Sequence, residues 1–179
     1  MALAGHFRLL AEYNRWMNGN LYRVAAELPV DALQENRGAY FGSIIGTLNH
    51  ILVGDTIWLR RFSGHPMPLE ALSVIRSMPT VTSLDQVLYH DLPSLRSVRE
   101  QVDQIVEAFV AEANEAHYQS ALAYCNMKGV PCERQFGLLV QHFFNHQTHH
   151  RGQVTTLLSQ FGLDVGVTDL LARIPEISR

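Results

Sequence analysis

Apolar residues recur at intervals of three and four through most of this 179-residue chain. Such spacing places side chains on one face of an α-helix, so we expect helices that each bury one face. The first repeat predicts a long helix over residues 3–28, which Pro29 ends. Its inward face consists of Phe7, Leu10, Asn14, Met17, Leu21, Val24 and Leu28.

Two further helices follow from the same repeat. Ser43 is a residue type that caps helix N-termini, and it begins a second helix that closes before Gly64. A third helix is predicted from Ser83 to Phe109 and beyond. We expect a kink at Pro93 in this helix, because proline removes a backbone hydrogen bond.

An alternating pattern over residues 120–136 predicts a short β-hairpin with Lys128-Gly129 as its turn. That turn would place Cys125 and Cys132, the two cysteines of the chain, opposite each other. We expect two free thiols rather than a disulfide, since disulfides are rare in cytoplasmic proteins.

The fourth helix is predicted from Gly137 to Phe161, and Thr168-Asp169 is expected to cap a last short helix. No repeat or linker divides the chain, which favours one domain over residues 1–179. The predicted fold class is therefore all-α, a four-helix bundle with a small β-hairpin insertion before the last long helix.

Composition and charge narrow the kinds of partner. The chain has 14 Lys and Arg against 17 Asp and Glu, a net charge of −3, and no basic block. Neither nucleic acid nor an anionic membrane is therefore an expected partner, and small molecules are favoured. No 18-residue apolar stretch and no signal-peptide pattern occur, so we expect a cytoplasmic protein.

Histidines are concentrated in the fourth helix. His146 and His150 are four residues apart, and both fall on its apolar stripe, which consists of Leu139, Phe143, His146, His150, Val154, Leu157 and Phe161. This is the spacing of HExxH zinc sites, but Gln147 takes the place of the glutamate. Two buried imidazoles need partners, and either a metal ion or ordinary hydrogen bonds would supply them.

A third ligand is best sought in the second helix. His50 lies there on a narrow face of mostly small residues, which leaves room for an imidazole to project. His142 lies two turns from His150, about 12 Å along the axis, and His149 points about 100° away from His150. We expect both to lie outside the site. Four other histidines are expected at the surface: His6, His65, His90 and His117.

Three sequence runs together resemble the DinB/YfiT-like superfamily over about residues 5–160. They are Tyr13-Asn14-Arg15-Trp16, then Leu48-Asn49-His50 with Gly54-Asp55-Thr56-Ile57-Trp58, and Asn145-His146-Gln147-Thr148-His149-His150-Arg151-Gly152-Gln153. The resemblance implies a four-helix up-down-down-up bundle that forms homodimers and binds one divalent ion, zinc or nickel. Carried over by position, the ligands are His50, His146 and His150.

Characterised members of that superfamily are thiol-dependent. They include mycothiol-dependent maleylpyruvate isomerases, which have a glutamate where His146 stands, and bacillithiol S-transferases. The resemblance therefore implies a metal-dependent S-transferase acting on a small-molecule thiol and an electrophilic substrate. Two alternatives stay open. One is a metal-dependent hydrolase using Asp55 or Glu12, and the other is a non-enzymatic metal-binding stress-response protein, closed by a fourth ligand such as His142 or His149.

Several polar residues are candidates for supporting the site. Asn14 would either reach a metal ligand or fix the register of the helices. Asp55 is expected to pair with Arg151, or alternatively to orient a ligand imidazole. Gln153 follows His150 by three and would hydrogen-bond near the site, and His149 is a candidate base.

Overall fold

Four long helices contain about half of the chain in the computed structural model, which describes residues 2–177. They are α1 (Leu3–Ala25), α3 (Ile44–Phe62), α4 (Leu92–Glu112) and α6 (Phe136–Ser159). The shorter elements are α2 (Val30–Gln34), α5 (Glu115–Gln119), strands β1 (Ala121–Cys125) and β2 (Pro131–Gln135), and 3-10 helices at Glu70–Ser77 and Leu170–Arg173. A predominantly helical fold with one small antiparallel hairpin is thus confirmed.

The long helices share one core. Helix α1 packs against α4 and α6, and α3 packs against α6 and α4. Each contributes fully buried side chains, including Leu21, Leu52, Val106 and Phe143. The inward face predicted for α1 is buried at Phe7, Asn14, Met17, Leu21 and Val24. Within the described residues, no helix combines the length and apolar character that a membrane span requires.

The start of α3 is as predicted, whereas the start of α4 is not. The Ser43 hydroxyl accepts a hydrogen bond of 3.1 Å from the Gly46 N–H, as an N-cap does. Helix α4 begins only at Leu92, where the Asp91 carboxylate accepts from the Ser94 N–H. Pro93 therefore lies in the first turn, where its missing N–H has no helical partner to lose, and the kink predicted there was wrong.

The hairpin is offset by one residue from the predicted register. Its connection spans residues 126–130, in which Gly129 has a φ of 75°. This odd number of connecting residues pairs Cys125 with Pro131 and Cys132 with Tyr124, so the prediction that the two cysteines are opposite each other was wrong. Both cysteines are free thiols in this structure.

Two histidines expected at the surface are buried instead. His65 is 6% exposed, and its Nε2 lies 2.8 Å from the Ser120 Oγ at the entry to β1. His117 is 9% exposed and completes a capping box with Asn114 at the start of α5. Both lie where α5 and the hairpin join the bundle, so their role is structural.

Candidate metal centre

Three imidazoles converge where α3 meets α6. Helix α3 carries His50, and α6 carries His146 and His150 one turn apart. The His50 Nε2 lies 3.1 Å from the Nε2 of His146 and 3.1 Å from that of His150. Within residues 2–177, these are the one group of three or more His, Cys, Asp or Glu residues whose potential ligand atoms all come within 4.8 Å of one another.

The outer nitrogens of two of these rings determine where the protons lie. His50 Nδ1 is 2.8 Å from the carbonyl oxygen of Leu84, and His150 Nδ1 is 2.8 Å from the Gln153 Oε1. Oxygens of this kind only accept, so each Nδ1 donates its proton. A neutral imidazole then has a lone pair on Nε2. The two facing Nε2 atoms are therefore both acceptors, 3.1 Å apart.

Burial keeps the three rings neutral. Loss of hydration and, to a smaller extent, the neighbouring imidazoles of His150 and His50 together lower the pKa of His146 to about 3. Burial also lowers the pKa of His50 and that of His150, although their hydrogen bonds to Leu84 and Gln153 partly oppose the shift. Near pH 7 the cluster thus offers lone pairs and not positive charge.

Two neighbours shape the cluster: Phe41, which the sequence did not indicate, and Gly54, one of the small residues on the His50 face. The Phe41 ring stacks on His50, with ring centroids 3.7 Å apart and an angle of 15° between the planes. At Gly54, an added Cβ would lie 2.6 Å from Cε1 of His146. The absence of a side chain there is what allows the His146 ring to approach α3.

One side of the cluster opens onto a cavity of about 760 Å³. Its walls include aromatic residues and two further histidines, namely Phe41, Trp58, Tyr124, His142 and His149. The His142 ring lies 5.1 Å from Trp58 and 6.3 Å from His146, so it belongs to the wall. His149 is 3.4 Å from the Gln153 amide. As expected, neither belongs to the three-nitrogen group.

The residues proposed to support the site divide into two sets. Gln153 does contact a member of the cluster, at His150. Asp55, however, is fully buried and pairs with Arg99 of α4, and it accepts a 2.7 Å hydrogen bond from Gln147. The predicted pairing of Asp55 with Arg151 was therefore wrong. Helical phase placed Asp55 inside the bundle but did not specify which neighbouring helix it faces.

Arg151 belongs to the same set of buried polar side chains as Asp55. It donates to the Asn14 carboxamide oxygen and to the Thr148 hydroxyl. Asn14 in turn donates to Asp103, 3.1 Å away, so the register role is the one its contacts support. Arg99 and Asp103 are 2.9 Å apart. This buried polar layer, Asn14, Asn18, Asp55, Arg99, Asp103, Gln147 and Arg151, contains two cations and two carboxylates and joins all four long helices.

The candidate carboxylates for hydrolysis do not lie in the cavity. Glu12 forms an ion pair with Arg173, and Asp55 is held in the buried polar layer. No Asp or Glu is found among the described residues that line the cavity.

Comparison with known proteins places the chain in a family. The sequence profile of the DinB family matches residues 2–176. Protein DinB from Bacillus subtilis (strain 168) is 26% identical over 160 residues, which cover 89% of this chain and 88% of that protein. No solved structure shows a significant similarity to this chain. The profile extends over nearly the whole chain and includes all three clustered histidines, and the chain belongs to the DinB family.

Proposed function

We propose that the protein binds one divalent transition metal ion, zinc or nickel, through His50, His146 and His150. The observation that carries the proposal is the facing pair of Nε2 acceptors, which have no proton to share between them. A cation between the rings would turn this unfavourable contact into coordination. Nitrogens that are each about 2.1 Å from one ion lie about 3.0 Å apart at a right angle and about 3.4 Å apart at the tetrahedral angle, and the 3.1 Å separations fall within this range.

The polar contacts of the rings also fit a metal centre. Ligand histidines usually donate their second N–H to a carbonyl or carboxylate, which fixes the tautomer and the ring orientation. The Leu84 carbonyl does this for His50, and the Gln153 amide oxygen does it for His150. Phe41 packs against one face of the His50 ring.

We further propose that the protein is a thiol S-transferase, in which the thiol loses its proton to solvent and the thiolate sulfur bonds to an electrophilic carbon as the leaving group departs with the bonding electrons. A bound divalent ion would lower the pKa of a thiol in the cavity and so supply a nucleophile near neutral pH. Phe41 and Trp58 would exclude water from the cavity. The Leu84 carbonyl and the Gln153 amide hold the donor rings of His50 and His150 in place. The open side of the cluster supports an enzyme over a closed structural site. The lack of a carboxylate in the cavity disfavours the hydrolase.

Elemental analysis of the purified protein tests the metal site. We expect about one zinc or nickel ion per chain, and a loss of most of it in His50→Ala. His142→Ala is the matched control, because His142 lines the same cavity outside the three-nitrogen group. A wild-type protein without stoichiometric metal, or a His50→Ala variant that retains it, would contradict the site.

Thiol consumption tests the transferase. The metal-loaded protein is incubated with small thiols and chlorinated or epoxide acceptors, and free thiol is followed over time. We expect faster loss than with the chelated protein and with His50→Ala. Equal rates in all three would show that the metal centre has another function.

A further inference from the structure

The charges that line the cavity all have one sign. Arg61 and Lys128 contribute cationic side chains, and no carboxylate lines it within the described residues. The chain as a whole has more acidic than basic residues, so this one-sided lining is a local property of the cavity. A cavity of this kind favours a negatively charged ligand.

Arg61 is half-buried at the end of α3. Its guanidinium carbon lies 4.6 Å from the Trp58 ring centroid and 5.1 Å from that of Tyr124. Over residues 2–177, no carboxylate comes within 4.0 Å of it. Burial lowers the pKa of Arg61, but an arginine stays charged in proteins. Two aromatic rings therefore lie against its guanidinium group, which has no anionic partner among the described residues.

The position of Arg61 along α3 relates it to the histidine cluster. Gly54, Trp58 and Arg61 follow one another at intervals of four and three, so they share a face of the helix. Gly54 faces the His146 ring, and Trp58 faces the His142 ring one turn nearer the start of α6. Arg61 therefore lies about two turns, roughly 10 Å, along the helix axis from Gly54, where the His146 ring meets α3. The Trp58 and His142 rings lie between Arg61 and the histidine cluster.

We propose that the cavity binds an elongated organic anion whose carboxylate pairs with Arg61, whose apolar part lies on Trp58 and Tyr124, and whose far end reaches the three histidines. Arginine suits this role because its planar fork binds carboxylates in a bidentate manner. The far end rests on the proposed function, under which it is the thiol sulfur. The thiol substrate is then one with a carboxylate at the opposite end of the molecule, and Arg61 selects it over neutral thiols.

Binding of two thiols of equal length tests this selection. The nickel-loaded protein is titrated with 6-mercaptohexanoate and with its neutral counterpart 6-mercaptohexanol, and binding is followed by the thiolate-to-metal absorption. We expect the acid to bind about tenfold more tightly, as a hydrogen bond to a charged group provides. In Arg61→Gln the two affinities become equal. Arg23→Gln is the matched control, because this substitution removes the same charge from an exposed side chain far from the cavity. We expect the control variant to bind the acid more tightly than the alcohol, as the wild type does.

A second titration separates the anion site from the metal chemistry. Metal-free protein that carries Trp16→Phe is titrated with 4-phenylbutyrate and with 4-phenylbutyramide. Binding is followed by the fluorescence of Trp58, which is then the remaining tryptophan. Preference for the acid that disappears in Arg61→Gln supports the anion site even if no thiol binds the loaded protein, a result that would overturn the transferase alone. Equal binding of acid and amide, or a preference that persists in Arg61→Gln, overturns the anion site.

Discussion

The position of the His146 ring depends on the absence of a side chain at Gly54. Gly54 brings the backbone of α3 so close to this ring that even a methyl group would overlap it. Gly54 also lies one turn beyond His50 on α3, next to the point where the three nitrogens meet. The shape of the cluster is thus controlled by a residue that donates no atom to it.

Substitution of this glycine tests the control. We expect Gly54→Ala to lower zinc affinity at least about tenfold, because its Cβ would move the His146 ring away from the other two nitrogens. A tenfold change in Kd corresponds to only about 1.4 kcal/mol of binding free energy. Gly152→Ala is the control, since a Cβ there meets nothing within 4 Å. Affinities from competition with a chromophoric chelator give the comparison, and equal affinities of the two variants would show that His146 is not a ligand.

Phase along α6 predicted His146, His150 and the contact of Gln153 with His150, but no such pattern predicted the supports of His50. His146 and His150 share a face with Leu139 and Val154, and the small residues around His50 indicated room for a ring. Phe41 and Leu84 reach His50 from segments outside the long helices, where no periodic pattern marks them. The burial of Gln147, which takes the place of the HExxH glutamate, was not predicted either, because its partner Asp55 is on another helix.

At the scale of the elements, the buried polar layer joins the four long helices through ion pairs and hydrogen bonds. Burial raises the pKa of Asp55 and of Asp103, while Arg99 opposes the shift in both. Burial also lowers the pKa of Arg151 to about 10. The two carboxylates and two guanidinium groups balance in charge, so the layer is stable only while all four are present.

Removal of one charge from this layer should be costly. We expect Asp55→Ala to lower the free energy of unfolding by about 3–5 kcal/mol, because Arg99 loses a buried partner. Glu100→Ala, which removes an exposed partner of Arg96 on the same helix, should cost less than about 1 kcal/mol. Urea unfolding measures both. The milder Asp55→Asn should bind metal as the wild type does, and a loss of metal would instead support a role for Asp55 in orienting a ligand.

The junction of α5 with the bundle is expected to respond to pH. Burial, and then the nearby His65, lower the pKa of His117. An unfolded histidine has a pKa of about 6.5, so the unfolded chain takes up the proton first as the pH falls, and stability declines below that value. His117→Gln removes this titration and keeps a side chain suited to the capping box.

We expect the metal-free wild type to lose more stability than His117→Gln between pH 7.5 and pH 5.5, as urea midpoints in the presence of a chelator will show. The other titrating groups are common to both proteins and cancel in the comparison. Parallel declines would mean that His117 is protonated as easily in the folded state as in the unfolded one.

Element boundaries were predicted well where a cap is encoded locally and poorly where proline has two meanings. The start of α3 follows from Ser43 alone. Pro93 fits either a kink inside a helix or the first turn of one, and Asp91 decides between them through its hydrogen bond to Ser94. The hairpin was found from its alternation, but its register depends on the five-residue connection, which the sequence pattern did not specify.

For the whole molecule, the helical class is confirmed, whereas several finer statements stay predictions. These are the up-down-down-up order of the helices, the single domain over residues 1–179, the homodimer and the cytoplasmic location. Such properties depend on how complete faces meet, and a one-dimensional pattern gives the apolar face of each helix but not its neighbour or its direction.

Metal binding should stabilise the whole fold, because the ligands come from two different long helices. At a thousandfold excess of free metal over Kd, the gain is about 4 kcal/mol, which corresponds to a rise in Tm of about 8–16 °C for a chain of this length. Scanning calorimetry with zinc and with a chelator measures the difference. We expect His142→Ala to show the same rise and His50→Ala to show none, and a wild type with one Tm under both conditions would argue against the site.

The alternation of residues along α6 has a consequence for metal choice. Gln147 and Arg151 each directly follow a clustered histidine and are fixed in the buried polar layer, so α6 cannot rotate to suit a particular ion without breaking contacts with Asp55 and Asn14. The rings are thus held before any ion arrives. For nitrogen donors held in this way, affinity follows the Irving–Williams order, with copper above both nickel and zinc. We therefore expect the zinc or nickel recovered with the protein to be displaced when copper is supplied in excess, as elemental analysis will show.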